Sequence, residues 1–184
     1  MLANRLRSHL LIVDMQEKPL ARVGGGQRVL QNAMRLAGFA RRLSVPITIG
    51  ELEPSRYGTT SALLREVTAG EAALVGRTSF SCWRDQLLSA RLRELRQSGR
   101  DQVVVCGLEA HVAVCQSTLD LLAHDFDGFV VADATASASA ESHALALQRM
   151  GRCGAAVVDT EMIAYEWLQQ AGTPEFKDLV PLLG

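Results

Sequence analysis

Five charged residues stand at or just past the ends of apolar runs: Asp14, Glu51, Arg77, Glu109 and Asp133. Carboxylates in such places can pass protons or orient water, whereas an arginine holds charge and keeps its proton. An acidic residue closing a strand is often only a cap for the next turn, but several converging on one crevice carry more weight. Gly107-Leu108-Glu109-Ala110-His111 joins an apolar run to a helical pattern. The first N–H groups of that helix would face the same crevice, a ready place for an anion or oxyanion.

The elements that must gather these residues can be read from periodicity. Residues 9–13 are a continuous apolar run closed by Asp14, the pattern of a strand buried on both faces. After Gly24-Gly25-Gly26, a segment running to Leu43 places Val29, Ala33, Leu36, Ala37 and Ala40 at helical spacing, with Arg41 and Arg42 in its last turn as the helix dipole favours. Residues 45–49 and 73–75 read as strands, 54–60 as a loop and 60–67 as a short helix. Leu87, Leu88, Leu92 and Leu95 give a helix over 83–96, which Gly99 stops. Strands at 103–106, 128–131 and 155–158 then alternate with helices at 110–123, 139–150 and 161–170. Alternation of this kind implies parallel pairing through right-handed crossovers, hence a three-layer α/β/α sandwich with a mostly parallel, Rossmann-like sheet of about six strands. Such open sheets bind ligands at the carboxyl ends of their strands.

The 184 residues, 48% hydrophobic and 21% charged, match one soluble globular domain spanning 1–184. A formal net charge of -1 gives no basic field for nucleic acid or for an anionic membrane surface. Asp14 interrupts the first apolar run well short of a signal segment or membrane span. Cys82, Cys106, Cys115 and Cys153 are scattered without a metal-type pair, so reduced thiols in the cytoplasm are the expectation.

Three stretches are more specific. Leu11-Ile12-Val13-Asp14-Met15-Gln16, Arg77-Thr78-Ser79-Phe80-Ser81 and Cys106-Gly107-Leu108-Glu109-Ala110-His111-Val112-Ala113-Val114 resemble, in order and separation, the signature stretches of the isochorismatase-like cysteine hydrolases. The similarity continues through Leu119-Asp120-Leu121-Leu122, Val131-Ala132-Asp133-Ala134, Thr160-Glu161 and Pro174-Glu175-Phe176-Lys177. Glu51, Pro54 and Gly58 fit a branch of short members. The thiol-using members carry an aspartate, a lysine and a nucleophilic cysteine. Position by position these fall on Asp14, Arg77 and Ala113, so two of the three are changed.

A methyl group cannot attack a carbonyl. Cys115 is expected to be a buried helix cysteine rather than a substitute nucleophile, because two helical steps turn it about 200° away from the crevice. Arg77 beside Asp14 is expected to form a bidentate pair that lowers the carboxyl pKa. The family's name-giving vinyl ether cleavage resembles a cysteine-free case that uses an acidic proton donor, and residues 110–113 look much like that variant. A lowered Asp14 pKa would work against it. The resemblance also implies a non-proline cis peptide at Glu109-Ala110 and a homo-oligomer. Metal binding in nicotinamidase-like relatives needs a histidine on the second-strand loop, and residues 50–58 contain none.

The expected site therefore comprises Asp14, Arg77 and Ala113 as the reaction positions, with Glu109, Ala110, His111 and Phe80 around a small-molecule substrate, and no metal or cofactor. Phe80, Tyr57 and Trp83 could wall the pocket or pack in the core. Ser137 or Ser139 is expected to cap the helix that follows. The leading expectation is hydrolysis of a small molecule, anionic among the options, with water as nucleophile. The alternative is a catalytically degenerate homologue serving as a ligand-binding or oligomeric scaffold protein.

Overall fold

The computed structural model describes residues 1–183. In chain order its strands are β1 (Ser8–Val13), β2 (Ile47–Leu52), β3 (Ala73–Arg77), β4 (Gln102–Gly107), β5 (Asp127–Thr135) and β6 (Ala156–Val158). The helices are α1 (Glu17–Arg22), α2 (Gly26–Arg42), α3 (Pro54–Tyr57), α4 (Ala62–Thr68), α5 (Gln86–Gln97), α6 (Cys115–Ala123), α7 (Ala140–Arg152), α8 (Thr160–Leu168) and α9 (Pro174–Leu179). The six strands form one sheet in the order β3-β2-β1-β4-β5-β6, and every neighbouring pair is parallel.

Successive side chains of a strand point to opposite faces, and β1 divides the core accordingly. Leu10 and Ile12 pack with Ala33 and Leu36 of α2 and Trp167 of α8, whereas Leu11 and Val13 pack with Leu88 and Leu92 of α5, Leu121 of α6 and Met150 of α7. The result is three layers, each fully buried large side chain contributing roughly 1.5–3 kcal/mol. Trp167 also satisfies its indole N–H on Ser8 Oγ at 3.0 Å.

The strand order reverses between β1 and β4, which opens a crevice at their carboxyl ends. Val13 pairs with Gly50 on one side and with Gly107 on the other, so the residues that follow all three strands meet there. Gly107 has φ 129°, and a side chain on it would collide with the Val13 carbonyl. Only glycine lets β4 end this close to β1.

Three local features depart from the sequence reading. Loop 54–60 contains the single turn α3, begun by Pro54. β5 continues past residue 131 to Thr135, so Asp133 lies within it. The expected helix 110–123 opens with a widened turn, Ala110–Val114, in which Val114 N–H bonds Glu109 O and Cys115 N–H bonds Ala110 O. Such i→i+5 turns recur at functional sites.

Candidate functional site

A cavity of about 360 Å³ lies at this crevice. Asp14, Ala113, Glu109, His111, Val112 and Ala138 line it. The end of β2 and the segments after β1, β2 and β3 add Gln16, Pro19, Arg22, Leu52, Tyr57 and Phe80 to the lining.

Asp14 follows β1 with φ 52°, a turn that folds its side chain back over the sheet end. Oδ1 accepts from Arg77 Nη1 at 2.6 Å and from Leu52 N–H at 3.0 Å, and Oδ2 accepts from Arg77 Nη2 at 2.9 Å. Oδ2 thus keeps one lone-pair position that this network does not fill. The bidentate pair is the expected one, but the sense of the pKa shift is reversed. Burial, the largest influence, pushes the Asp14 carboxyl above its ordinary range, helped by the nearby Glu51 charge, against the pull of Arg77 and the Leu52 amide. Only 6% of the Asp14 side chain is exposed, and the cost of removing a carboxylate from water exceeds what the guanidinium returns.

Arg77 does not stand in the crevice. Its side chain is wholly buried against Asp14, with Nη2 also donating to Phe80 O at 3.2 Å, so no ligand in the cavity can reach it. The cation that lines the cavity is Arg22, at the end of α1, exposed and ion-paired with no carboxylate among the described residues.

Ala110 does not line the cavity either. It is fully buried and its N–H is spent on Ala136 O at 2.8 Å, which removes it as an oxyanion donor. The cis peptide falls between Leu108 and Glu109, one bond earlier than the resemblance implied. Glu109 Oε2 accepts Ala138 N–H at 2.9 Å, and His111 Nδ1 lies 2.9 Å from Ser137 Oγ. Phe80 and Tyr57 face the cavity, while Trp83 packs away from it against His124 and Phe126.

Two acidic strand-end residues are structural. Glu51 Oε1 accepts Thr60 N–H and Thr60 Oγ1 at 2.6 and 2.7 Å and pins the loop after β2. Asp133 accepts from the backbone and hydroxyl of Thr160, both at 2.9 Å, and from Asn32 Nδ2 at 3.0 Å, which ties α8 and α2 to the sheet. Gln16, which sequence reasoning passed over as a site residue, clamps the same loop as Glu51. Its Nε2 donates to Leu52 O and Gly58 O, and its Oε1 accepts Leu52 N–H.

No thiol reaches the cavity. Cys115 is buried against Leu121 and Met150, and burial raises the pKa of Cys82, Cys106 and Cys115 away from the thiolate form. Among the described residues, no group of three or more His, Cys, Asp or Glu side chains is placed to hold a metal ion. No helix there is long and apolar enough to cross a membrane.

A family model described as the isochorismatase domain matches residues 8–162. The isochorismatase domain-containing protein 2 of Xenopus laevis is 32% identical over 178 residues, 96% of this chain and 83% of its own length. Among solved structures, the MAR1 ribonuclease of Caenorhabditis elegans superposes with a TM-score of 0.92 at 28% identity, covering 100% of this chain and 92% of its own. The YcaC product of Escherichia coli, described as an octameric hydrolase of unknown specificity, gives 0.86 at 18% identity over 99% and 96% of the two chains.

Proposed function

Because the chain belongs to the isochorismatase family, we propose that it is a hydrolase of small molecules in which water, not a cysteine, attacks and Asp14 donates the proton. The observation that carries this reading is the pairing of residue types in the cavity lining. A methyl group, Ala113, and a buried carboxyl whose pKa is raised line the same cavity, and Oδ2 of that carboxyl accepts one hydrogen bond, from Arg77. A carboxyl whose hold on a proton is strengthened by burial suits acid-assisted cleavage of an ester, amide or vinyl ether. Arg77, permanently charged, fixes the orientation of Asp14 and takes no proton itself.

Arg22 and the apolar faces of Tyr57, Phe80 and Val112 suit a substrate with a compact unsaturated or apolar body and one anionic group. The ribonuclease description of the Caenorhabditis elegans neighbour places RNA among the compounds to test. Asp14 and Glu109 in the cavity and the net charge of -1 offer a polyanion little attraction. In the same reading the chain works in the cytoplasm, where its four free cysteines stay reduced, and assembles into a homo-oligomer, as the octameric YcaC neighbour suggests.

The test is a turnover panel of small amides, esters and vinyl ethers, isochorismate included, with RNA alongside. Turnover by the native chain that falls about 10²–10⁴-fold in Asp14→Asn supports the assignment. Absence of turnover on every compound would favour the degenerate, ligand-binding alternative.

A further inference from the structure

The hydrolytic reading leaves one requirement unmet, a base for the attacking water. Asp14 is committed as the acid. Of the other ionisable groups lining the cavity, Arg22 and Tyr57 offer protons rather than take them, and Glu109 Oε2 is held by Ala138 N–H. His111 remains.

Its surroundings fix which nitrogen can act. Nδ1 lies 2.9 Å from Ser137 Oγ and 3.5 Å from Glu109 Oε2. The carboxylate can only accept and the hydroxyl is able to accept, an arrangement that favours the ring proton on Nδ1 and an unprotonated Nε2 on the neutral ring. No protein group among the described residues bonds Nε2, and the residue lines the cavity. Ser137 Oγ accepts the His111 backbone N–H as well, at 3.3 Å, so a buried hydroxyl grips both the main chain and the ring of one residue. The widened turn contains His111 and Ala113, and both residues line the cavity.

We propose that His111 Nε2 is the general base for water in this site, with Ser137 and Glu109 as positioning residues that fix its tautomer. The inference rests on the hydrolytic reading above. As the water oxygen bonds to the electrophilic carbon, its proton passes to Nε2. The bond from that carbon to the leaving oxygen or nitrogen breaks, and the leaving atom takes the proton of Asp14. Solvent then removes the proton from His111 and restores the one on Asp14, so the net change is addition of one water across the cleaved bond.

The experiment has two arms. Nitrogen-15 spectra of the ligand-free native chain, recorded above the range in which histidine titrates, are expected to show His111 as the Nδ1–H tautomer. Glu109→Gln and Ser137→Ala should turn that into a mixture, a change that loss of a merely structural contact would not produce. On a substrate found by the panel, His111→Gln should lower kcat about 10²–10⁴-fold with KM near native. A native Nε2–H tautomer overturns the proposal, as does native kcat in His111→Gln when Asp14→Asn has lost turnover. A native chain that turns over nothing removes the hydrolytic reading and this role together.

Discussion

At the scale of single residues, charge at the site is arranged in two tiers. Arg77 is buried, pairs with Asp14 and sets its orientation, whereas Arg22 is exposed and lines the cavity, where a ligand can meet it. The expected result is that a small carboxylate such as benzoate raises the melting temperature of the native chain and does clearly less for Arg22→Ala. Equal shifts in the two would remove Arg22 as the anion contact. Much of the cavity lining is legible in residue types and their places after strands, since Asp14, Glu109, His111, Ala113 and Phe80 all belong to it. Arg77 and Ala110 were placed one layer too far forward, because residue order gives proximity to a strand end but not depth. Arg22 was missed because its position depends on α1, six residues with no apolar period and none buried. The sequence offers Ser137 or Ser139 as the cap of the next helix. Ser139 does that work on Ser142 N–H, and Ser137 turns inward to His111.

At the scale of elements, β1 organises both the core and the site, and it carries a liability. His9 is fully buried with neither ring nitrogen bonded among the described residues, and burial, with Arg91 and Arg100 nearby, lowers its pKa from 6.5 to about 3. Between those values the unfolded chain binds a proton that the folded chain refuses. Stability contributed by the neutral ring is therefore complete above pH 6.5 and is lost as pH falls toward 3, by up to about 1.4 kcal/mol per pH unit. His9→Leu should shift the acid-unfolding midpoint, followed by circular dichroism, to lower pH. An unchanged midpoint would show that other groups govern acid unfolding. The regular elements were legible because their periods are strong, as in the Leu87 to Leu95 series or residues 9–13. α3 and the continuation of β5 to Thr135 were not, because their local residues, Pro54-Ser55-Arg56-Tyr57 and Asp133-Ala134-Thr135, carry no repeat and are set by pairing and packing. The widened first turn before α6 is likewise a tertiary outcome, with Glu109 O shared by Val112 and Val114.

At the scale of the whole molecule, the parallel sheet places its switch point where the signature stretches converge, so the fold and the cavity are one argument. The sheet edges leave Leu74 on β3 and Val157 on β6 exposed, and Leu145 and Met162 are exposed on α7 and α8. If these surfaces serve the proposed homo-oligomer, light scattering should give a mass that is a multiple of 19.9 kDa at micromolar concentration. A mass of one chain at all concentrations would exclude stable assembly. The central claim is water-based hydrolysis that uses Asp14 and no thiol. It is tested most directly by measuring turnover of the native chain before and after exhaustive iodoacetamide treatment, with Asp14→Asn alongside. The account predicts unchanged turnover after alkylation and its loss in Asp14→Asn. Turnover abolished by alkylation, or retained in Asp14→Asn, would contradict it.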